Sequence, residues 1–492
     1  MNKKVLVIGA GFAGISTATG LAHKGFDVTL LEKHNAPGGR ARKFESEGFT
    51  FDMGPSWYWM PDVFEAYFAQ FGKKTSDFYE LIRLDPSYSI IFGENDRLDI
   101  PAKAAEFADM LESLEPGSSQ KLEKFLTQAA YKYQVGMNDL VYKPSRSLLE
   151  FADIRLLTAL FRMDVLTSFH KHIRKFFKHE KIIRLMEFPI LFLGALPQNT
   201  PALYSLMNYA DIRLGTWYPK GGMYKIVEGM VNLAESLGVK FLYNQEVKKI
   251  EIQGNFARVV HTQDSSFEAD IVVAGADYHF VENTLIDPHW RSYSHNYWDS
   301  RVMAPSSLIF YLGVDQKLDH LLHHNLFFDT DFDRHAREIY QSPQWPSDPL
   351  FYASLPSKTD PTVAPEGKEN LFILIPVAPG LENQDEEALR EKYFEMVIQR
   401  LEKIHGASFR EAIIYKRSYA HRDFIADYNA FRGNAYGLAN TLMQTAILKP
   451  ALKSKKVKNL FYTGQLTVPG PGVPPSLISG QVVAREICKE FS

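Results

Sequence analysis

The run Val5-Leu6-Val7-Ile8-Gly9-Ala10-Gly11-Phe12-Ala13-Gly14 decides the fold of this 492-residue chain. Its four leading apolar residues predict a short, buried parallel strand, and the glycine cluster predicts a tight turn into a helix over residues 15–23. A second strand is predicted at residues 27–31. Together these elements form a strand–helix–strand unit of the size that binds half of a dinucleotide.

Each glycine of this fingerprint has its own steric role. Gly9 permits the tight turn, Gly11 lets the backbone approach a pyrophosphate, and Gly14 lets the helix pack closely on the strand. The helix N-terminus offers unpaired N–H groups to the phosphates. Glu32 ends the second strand, where its carboxylate can accept hydrogen bonds from both ribose hydroxyls and disfavours a 2′-phosphate. The pattern therefore predicts a site for FAD or NAD, and NADP is not expected.

The segment after Glu32 indicates which of the two dinucleotides, FAD or NAD, is expected. Gly38-Gly39-Arg40 supplies paired glycines and a guanidinium for a second close pass along a pyrophosphate. Gly54-Pro55-Ser56 lies in a turn that could bring backbone against a flat ring. No second GxGxxG occurs in the sequence, so a separate nicotinamide domain is not expected. These features favour FAD.

Strands of the same sheet recur far along the chain. Short apolar runs at residues 271–274 and 460–462 are each closed by a glycine, Gly275 and Gly464, and predict further strands of the first sheet. Residues 100–185 are predicted to be mainly helical, and residues 306–314 and 370–376 to be strands. The expected fold is α/β, an interrupted Rossmann-type FAD-binding domain with an inserted α+β substrate-binding domain. The FAD-binding domain is predicted at residues 1–95, 216–285 and 440–492, and the substrate-binding, membrane-associating domain at residues 96–215 and 286–439.

Bulk composition narrows the classes of function. The net charge of -3, from 55 Lys+Arg and 58 Asp+Glu, gives no global attraction to nucleic acid. The one cysteine, Cys488, excludes an internal disulfide and favours a reducing compartment. No metal-ligand cluster is evident, and no apolar run reaches the roughly 20 residues that cross a bilayer. We expect a cytoplasmic protein that is soluble or bound to a membrane surface.

Several motifs resemble one family. At Gly38-Gly39-Arg40 and Gly54-Pro55-Ser56 the chain resembles the bacterial-type carotenoid desaturases, most closely the phytoene desaturases, within the flavin amine oxidase-like superfamily. Later segments resemble the same family in the same order along the chain: an aromatic-Pro-X-Gly-Gly turn at residues 215–223, a segment over residues 423–437, and a proline- and glycine-rich loop at residues 464–475. The resemblance covers nearly the full length.

The resemblance implies a role for each matching position. The ADP and pyrophosphate would be held by Gly9, Gly11, Gly14, Glu32, Gly39 and Arg40. The flavin would be lined by Gly54, Pro55 and Ser56 and approached by Gly464, Val473 and Pro474, while the backbone of Val247 would meet the adenine. One position departs from related flavoproteins, many of which place an acidic residue against the ribityl chain where this chain has Gln465. No catalytic acid or base is assigned.

The resemblance also implies an activity, the introduction of C=C bonds into a linear carotene by hydride transfer to flavin, with phytoene to lycopene as the expected reaction in carotenoid biosynthesis. An alkyl segment beside a polyene has no acidic C–H bond and no carbonyl. The cofactor therefore carries the chemistry, and the protein supplies a dry, aligned channel. Trp57, Tyr58 and Trp59 could stabilise an allylic cation through their ring faces, or simply pack the core.

A carotenoid substrate must be drawn from a membrane, so contact with a membrane is expected. Residues 151–181 mix apolar side chains with histidine, lysine and arginine, a pattern that fits a helical region lying on an anionic membrane surface. The alternative is an ordinary helix pair, buried on one side and solvated on the other. We expect peripheral association with the inner face of the cell membrane, and oxygen or a quinone as the electron acceptor.

Three other interpretations stay open. A hydroxycarotenoid 3,4-desaturase would use the same cofactor and chemistry, and no motif separates it from phytoene desaturase. An amine oxidase would need an aromatic cage and a lysine near flavin N5, which no pattern identifies. A prenyl-binding escort protein without catalysis would not need the intact glycine fingerprint or the flavin-facing loop.

Overall fold

A computed structural model describes residues 3–151, 164, 166–191 and 196–491 of the chain. The strands of these residues, numbered β1 to β19 in chain order, are Lys4–Ile8, Asp27–Leu31, Lys43–Ser46, Phe49–Asp52, Leu81–Arg83, Tyr88–Gly93, Asp96–Ile100, Trp217–Pro219, Lys240–Leu242, Val247–Gln253, Phe256–Thr262, Ser266–Glu268, Ile271–Ala274, Ser306–Val314, His324–Phe327, Phe351–Ser354, Glu369–Val377, Ile413–Tyr419 and Leu460–Tyr462.

The α-helices of the described residues lie between these strands, some singly and some in succession, with short 3-10 and π turns among them. They are Phe12–His23, Pro61–Ala69, Ala104–Leu114, Ser118–Val135, Phe169–Phe176, Glu180–Leu191, Leu206–Tyr209, Tyr224–Ser236, Tyr278–Phe280, His295–Asp299, Phe332–Tyr340, Glu387–His405, His421–Tyr428 and Val473–Phe491.

The glycine fingerprint lies in a five-stranded parallel sheet with the order β19-β13-β1-β2-β9. β1 pairs in parallel with β2 on one side and β13 on the other, so the unit predicted at the N-terminus sits at the centre of the sheet. The carboxyl ends of parallel strands meet at one edge, which is where open α/β sheets bind their ligands. Gly9, Glu32, Gly275 and Gly464 follow closely on four of these strand ends.

The first and last helices of the chain pack tightly against each other. An added Cβ at Gly20 would lie 3.0 Å from the Ala484 Cβ, and one at Gly480 would lie 2.7 Å from the Ser16 Cβ. The close approach is locked by the Ser16 hydroxyl, which donates to the Leu477 carbonyl at 2.8 Å. This contact holds the C-terminal loop at residues 464–475 beside the N-terminal glycine turn.

A second, seven-stranded sheet has the order β18-β14-β17-β16-β15-β6-β7 and is antiparallel except where β15 pairs with β6. On one face, Ile309, Leu374, Tyr352 and Leu326 form a row across four neighbouring strands, because they are cross-strand partners. The opposite face packs on the helix Glu387–His405 in a separate core. The second sheet therefore presents one row of side chains to the space between the sheets.

The structure confirms the predicted fold class, a parallel sheet assembled from distant segments beside a second, mixed sheet. The predicted strands at residues 27–31, 271–274, 306–314 and 460–462 are present with the predicted bounds. The domain boundaries stay a prediction. β6 belongs to the second sheet, although residues 1–95 are predicted to belong to the FAD-binding domain.

Candidate functional site

A cavity of about 420 Å³ lies between the two sheets, at the carboxyl edge of the parallel one. All of the predicted site residues except Gly14 line it: Gly9, Gly11, Glu32, Gly39, Arg40, Gly54, Pro55, Ser56, Val247, Gly464, Val473 and Pro474. The structure thus brings together residues from the N-terminus, the middle and the C-terminus of the chain.

Gly14 lies one layer beneath the cavity, where the first helix crosses β1. An added Cβ would fall well inside van der Waals contact with the Gly9 carbonyl oxygen. By contrast, an added Cβ at Gly11 would meet no atom within 4 Å, so Gly11 borders open space. The two glycines have different functions, because one permits packing within the protein and the other leaves room for a ligand beside the backbone.

Glu32 is buried at the end of β2, and the backbone fixes its carboxylate. Oε2 accepts a hydrogen bond from the Ala10 N–H at 2.7 Å, and Oε1 accepts one from the His34 N–H at 2.9 Å. Each carboxylate oxygen retains a further lone pair. A carboxylate that is oriented in this way can accept two hydroxyls of a ribose without reorganising.

Arg40 carries a guanidinium that the described residues do not fully satisfy. Its Nη2 donates to the Asn434 carbonyl at 3.3 Å, while its buried Nε has no hydrogen-bond partner among the described residues. Burial lowers the pKa of Arg40. A half-buried cation with an unused donor beside a cavity is suited to an anionic ligand such as a pyrophosphate.

The glycine turns on either side of Arg40 let separate stretches of backbone touch. Gly38 has a φ of 115°, a conformation that favours glycine, and its N–H donates to the Ala10 carbonyl at 2.7 Å. An added Cβ at Gly54 would lie 2.6 Å from the Arg40 carbonyl oxygen. The fingerprint turn, the Gly38–Arg40 segment and the Gly54 turn consequently stack into one continuous backbone wall.

Gln465, the position that departs from related flavoproteins, sits beside Arg40. When its amide is oriented to satisfy both neighbours, the oxygen accepts from Arg40 Nη2 at 3.0 Å and the nitrogen donates to the Tyr436 carbonyl at 3.1 Å. A carboxylate could accept from Arg40 but could not donate to that carbonyl. The contact with the Tyr436 carbonyl thus explains why an amide suits this position, and the sequence alone did not reveal that contact.

The three aromatic residues after the Gly54 turn separate into two kinds. Trp57 and Trp59 line the cavity, and the Trp57 ring stacks on His324 with centroids 4.2 Å apart. Tyr58 points away into the core, where its hydroxyl lies 3.0 Å from the Tyr79 hydroxyl. Core packing is therefore the role of Tyr58, while stabilisation of a cation by Trp57 and Trp59 stays a prediction.

Sequence reasoning missed a polar pair on the wall formed by the second sheet. Tyr352 on β16 lines the cavity, and its hydroxyl lies 2.6 Å from Nδ1 of the buried His324 on β15. Burial lowers the pKa of His324 well below its usual range, so the ring is neutral. Alternation along each strand could have paired these residues on one face, but not identified which face bounds a cavity.

The basic stretch predicted to lie on a membrane is only partly described, since residues 152–163 and 165 lie outside the described residues. In the remainder, Phe169, His172 and Ile173 are buried against neighbouring helices, whereas Leu166 is 90% exposed. Among the helices that the structure describes, none is both long enough and apolar enough to cross a membrane. Membrane contact stays a prediction.

Similar proteins of known activity indicate the class to which this chain belongs. The fold and the cavity fit a dinucleotide-binding protein, and the family model for flavin-containing amine oxidoreductases matches residues 12–488. A carotenoid 3,4-desaturase of Haloarcula japonica is 41% identical over 492 residues, covering 100% of this chain and 99% of that protein. A zeta-carotene-forming phytoene desaturase of Myxococcus xanthus is 32% identical, covering 99% of this chain and 94% of that protein.

The chain belongs to the flavin-containing amine oxidoreductase family, and within it to the carotenoid desaturases. It is an FAD-dependent oxidoreductase acting on CH–CH bonds, as the resemblance implied. Among solved structures, an oxidoreductase from Methanosarcina mazei matches with a TM-score of 0.64 at 17% identity, over 99% of this chain and 100% of that one. A putrescine oxidase matches with a TM-score of 0.63 at 14% identity, over 99% of each chain. At these identities the two structures support the fold alone.

Replacing Arg40 with methionine is expected to weaken FAD binding by about 10- to 100-fold, because a charged hydrogen-bonding partner is lost. Arg42 provides a matched control, since it is ion-paired with Asp427 at 2.6 Å and does not line the cavity. Titration of the apoprotein with FAD, followed by flavin fluorescence, measures both variants. Equal losses in the two variants would show that Arg40 has no specific role toward the cofactor.

Proposed function

We propose that this protein introduces a C=C bond at the 3,4 position of a linear carotene. The observation that carries the proposal is 41% identity, end to end, with a carotenoid 3,4-desaturase, against 32% with the phytoene and diapophytoene desaturases. It favours the hydroxycarotenoid alternative of the sequence analysis. Desaturation of phytoene remains the second candidate, because the cofactor and chemistry are the same and those relatives also match along nearly the whole chain.

FAD would be held by the residues predicted from the sequence, and the residues present fit it. Glu32 would accept the ribose hydroxyls, and Arg40 would pair with the pyrophosphate in the open space beside Gly11. The backbone of Val247 would meet the adenine, while the Gly54–Ser56 turn and the loop with Gly464, Val473 and Pro474 would enclose the flavin ring. When bound, FAD supplies the hydride acceptor that no side chain can provide.

The protein's own residues would exclude water and orient the alkyl chain. Trp57, Trp59, Pro189 and Met207 give the cavity an apolar, partly aromatic wall. A ring face near the carbon that loses the hydride stabilises the allylic cation through its quadrupole. The chemistry thus depends on alignment in a dry channel more than on an acid or base of unusual strength.

The second half of the reaction requires proton loss from the neighbouring carbon, whose C–H electrons complete the double bond. The Tyr352 hydroxyl is a polar group on the cavity wall, and it contacts Nδ1 of neutral His324 at 2.6 Å. A proton taken up at the hydroxyl oxygen can be matched by transfer of the tyrosine proton to Nδ1. This pair would return the substrate to neutrality.

The decisive experiment supplies substrates that separate the two candidate reactions. Purified protein with FAD, oxygen and a quinone is incubated with liposomes that contain either phytoene or a hydroxylated linear carotene. We expect the hydroxylated carotene to gain a double bond, seen by chromatography and by a longer absorption wavelength, while phytoene is unchanged. Conversion of phytoene alone would reverse the assignment. No conversion of either compound by FAD-loaded protein would contradict the proposed activity as a whole.

We also propose that the chain divides as the sequence suggests, with residues 1–95, 216–285 and 440–492 serving the cofactor and the remainder serving the substrate. The carotenoid would enter from the inner face of the cell membrane, with residues 151–181 at the surface. Flotation of the protein with anionic liposomes, but not with neutral ones, would support that contact.

A further inference from the structure

Asp211 is a buried carboxylate to which the cofactor site gives no role. It follows the helix Leu206–Tyr209 in the chain. Its Oδ2 accepts a hydrogen bond from the Tyr88 hydroxyl at 2.7 Å, and its Oδ1 accepts one from the Thr216 hydroxyl at 3.3 Å. Both donors are neutral, and no ion pair to Asp211 is present among the described residues.

A carboxylate in this environment is costly for the fold, because two hydroxyl donors replace only part of the hydration that a buried charge loses. Arg83 attracts Asp211 electrostatically, but its guanidinium donates to the Leu214 and Ala102 carbonyls, at 2.8 and 3.3 Å. Burial raises the pKa of Asp211 to about 6, and the two hydroxyls and Arg83 oppose that rise. The side chain is therefore mostly ionised at neutral pH, and its charge is only partly compensated.

The hydrogen bonds of Asp211 lead to the aromatic wall of the cavity between the sheets. The Thr216 hydroxyl, which donates to Asp211, accepts from Nε1 of Trp59 at 2.8 Å. Tyr88, the other donor, packs edge-on against Trp57, with ring centroids 5.3 Å apart. Trp57 and Trp59 both line the cavity. One side chain thus separates the carboxylate from each of the two cavity-lining tryptophans.

A negative charge behind an aromatic wall changes what the wall can bind. Hydrogen bonds in a chain polarise one another, so an indole that donates toward a carboxylate gains electron density on its ring face. A ring face with more electron density attracts a cation more strongly. The carboxylate adds its own attraction, which a protein interior screens far less than water does. The cavity therefore receives a negative potential without a charged group in contact with its apolar contents.

From these contacts we propose that Asp211 stabilises positive charge on the substrate through the two tryptophans of the cavity wall. This inference rests on the proposed function and deepens it. When a hydride leaves for FAD with both electrons of its C–H bond, the carotene keeps an allylic cation until the neighbouring carbon loses its proton. Asp211 takes no proton and forms no bond in these steps, so it is a positioning residue that acts through other side chains.

Two probes separate charge from shape. Dodecyltrimethylammonium carries a permanent positive charge, and its uncharged isostere is the alkane in which a carbon atom replaces the nitrogen. Each is titrated into FAD-loaded protein while the flavin absorption spectrum is followed. Asp211→Asn keeps the shape of the side chain and can hydrogen-bond to both hydroxyls, but it has no charge. We expect this variant to bind the ammonium about 10-fold more weakly than the unchanged protein, and the alkane equally well.

Glu282→Gln is the matched control. Glu282 is also buried and accepts from the Tyr462 hydroxyl at 3.3 Å, but neither of these side chains lines the cavity. The loss of a buried charge at this position should leave the binding of both probes unchanged.

A pH series on the unchanged protein needs no variant, so it remains informative if Asp211→Asn fails to fold. The preference for the ammonium over the alkane should fall as the pH is lowered through about 6, because Asp211 becomes protonated. Tyr88 stays neutral in this range, since burial raises its pKa well above the usual value, and Arg83 stays charged. In Asp211→Asn the preference should not change with pH over the same range.

Turnover gives a second readout. For a carotene that the protein desaturates, Asp211→Asn should lower kcat about 10-fold and leave KM nearly unchanged, because only the charged transition state interacts with the carboxylate. A variant that had merely deformed the cavity would also raise KM and weaken binding of the alkane.

The outcomes separate this inference from the proposed function. Ammonium binding that is the same in the unchanged protein and in Asp211→Asn would overturn the inference. Equal losses for the ammonium and the alkane would also overturn it, because Asp211 would then only hold the wall in shape. If no carotene is desaturated but the preference for the ammonium depends on Asp211, the proposed function fails while the electrostatic role stands.

Discussion

Gly14→Ala is expected to abolish FAD retention and to lower the stability of the apoprotein by about 1–3 kcal/mol. The new methyl group would press against the Gly9 carbonyl oxygen and push the first helix off β1. This displacement disrupts the turn that the pyrophosphate is proposed to approach, so we expect cofactor binding and folding to be damaged together. Thermal melting of the apoprotein and flavin content after purification measure the two effects.

Gly11→Ala is the matched control for that prediction. Its methyl group would enter open space, so the melting temperature of the apoprotein should not change. FAD binding should nevertheless fall, because the same space is proposed to receive the pyrophosphate. If Gly14→Ala kept both its flavin and its melting temperature, the assigned packing role of Gly14 would be wrong.

Glu32→Ala is expected to weaken FAD binding by about 2–4 kcal/mol, a loss of about 30- to 1,000-fold, without unfolding the protein. We expect the loss because the carboxylate, which the Ala10 and His34 N–H groups hold in place, is the proposed acceptor of the ribose hydroxyls. Water can satisfy the freed N–H groups, so the fold should survive. Isothermal titration of the apoprotein with FAD gives the affinity.

Two further variants sharpen the result for Glu32. Glu32→Gln keeps the shape but loses the charge and one acceptor, so its affinity should fall between those of the alanine variant and the unchanged protein. Glu246 also borders the cavity but pairs with Lys248, and Glu246→Ala should have little effect. An FAD affinity for Glu32→Ala equal to that of the unchanged protein would count against the proposed ribose contact.

The parts of the fold that could be predicted are those that local chemistry determines. The spacing of Gly9, Gly11 and Gly14 is typical of one backbone geometry, a tight turn between a strand and a helix. A short apolar run such as residues 271–274 fits few structures other than a buried strand. Successive side chains of an extended segment point to opposite sides. The order of residues after the Gly54 turn could therefore have predicted that Tyr58 faces away from Trp57 and Trp59.

The parts that could not be predicted depend on which distant segments meet. The contact of Tyr352 with His324 needs the register of β15 and β16, and the role of Gln465 needs the Tyr436 carbonyl beside it. None of these relations has a sequence spacing that could be recognised in advance.

The tight packing of the first helix against the last has a consequence for how the protein is made. Synthesis proceeds from the N-terminus, so the fingerprint turn leaves the ribosome long before Gly464 and Gly480 do. A parallel sheet that needs its final strand from residues 460–462 cannot close while the ribosome still holds that segment. Cofactor loading then waits until residues 460–480 have left the ribosome, and chains that still lack this segment would expose an unfinished sheet edge to chaperones.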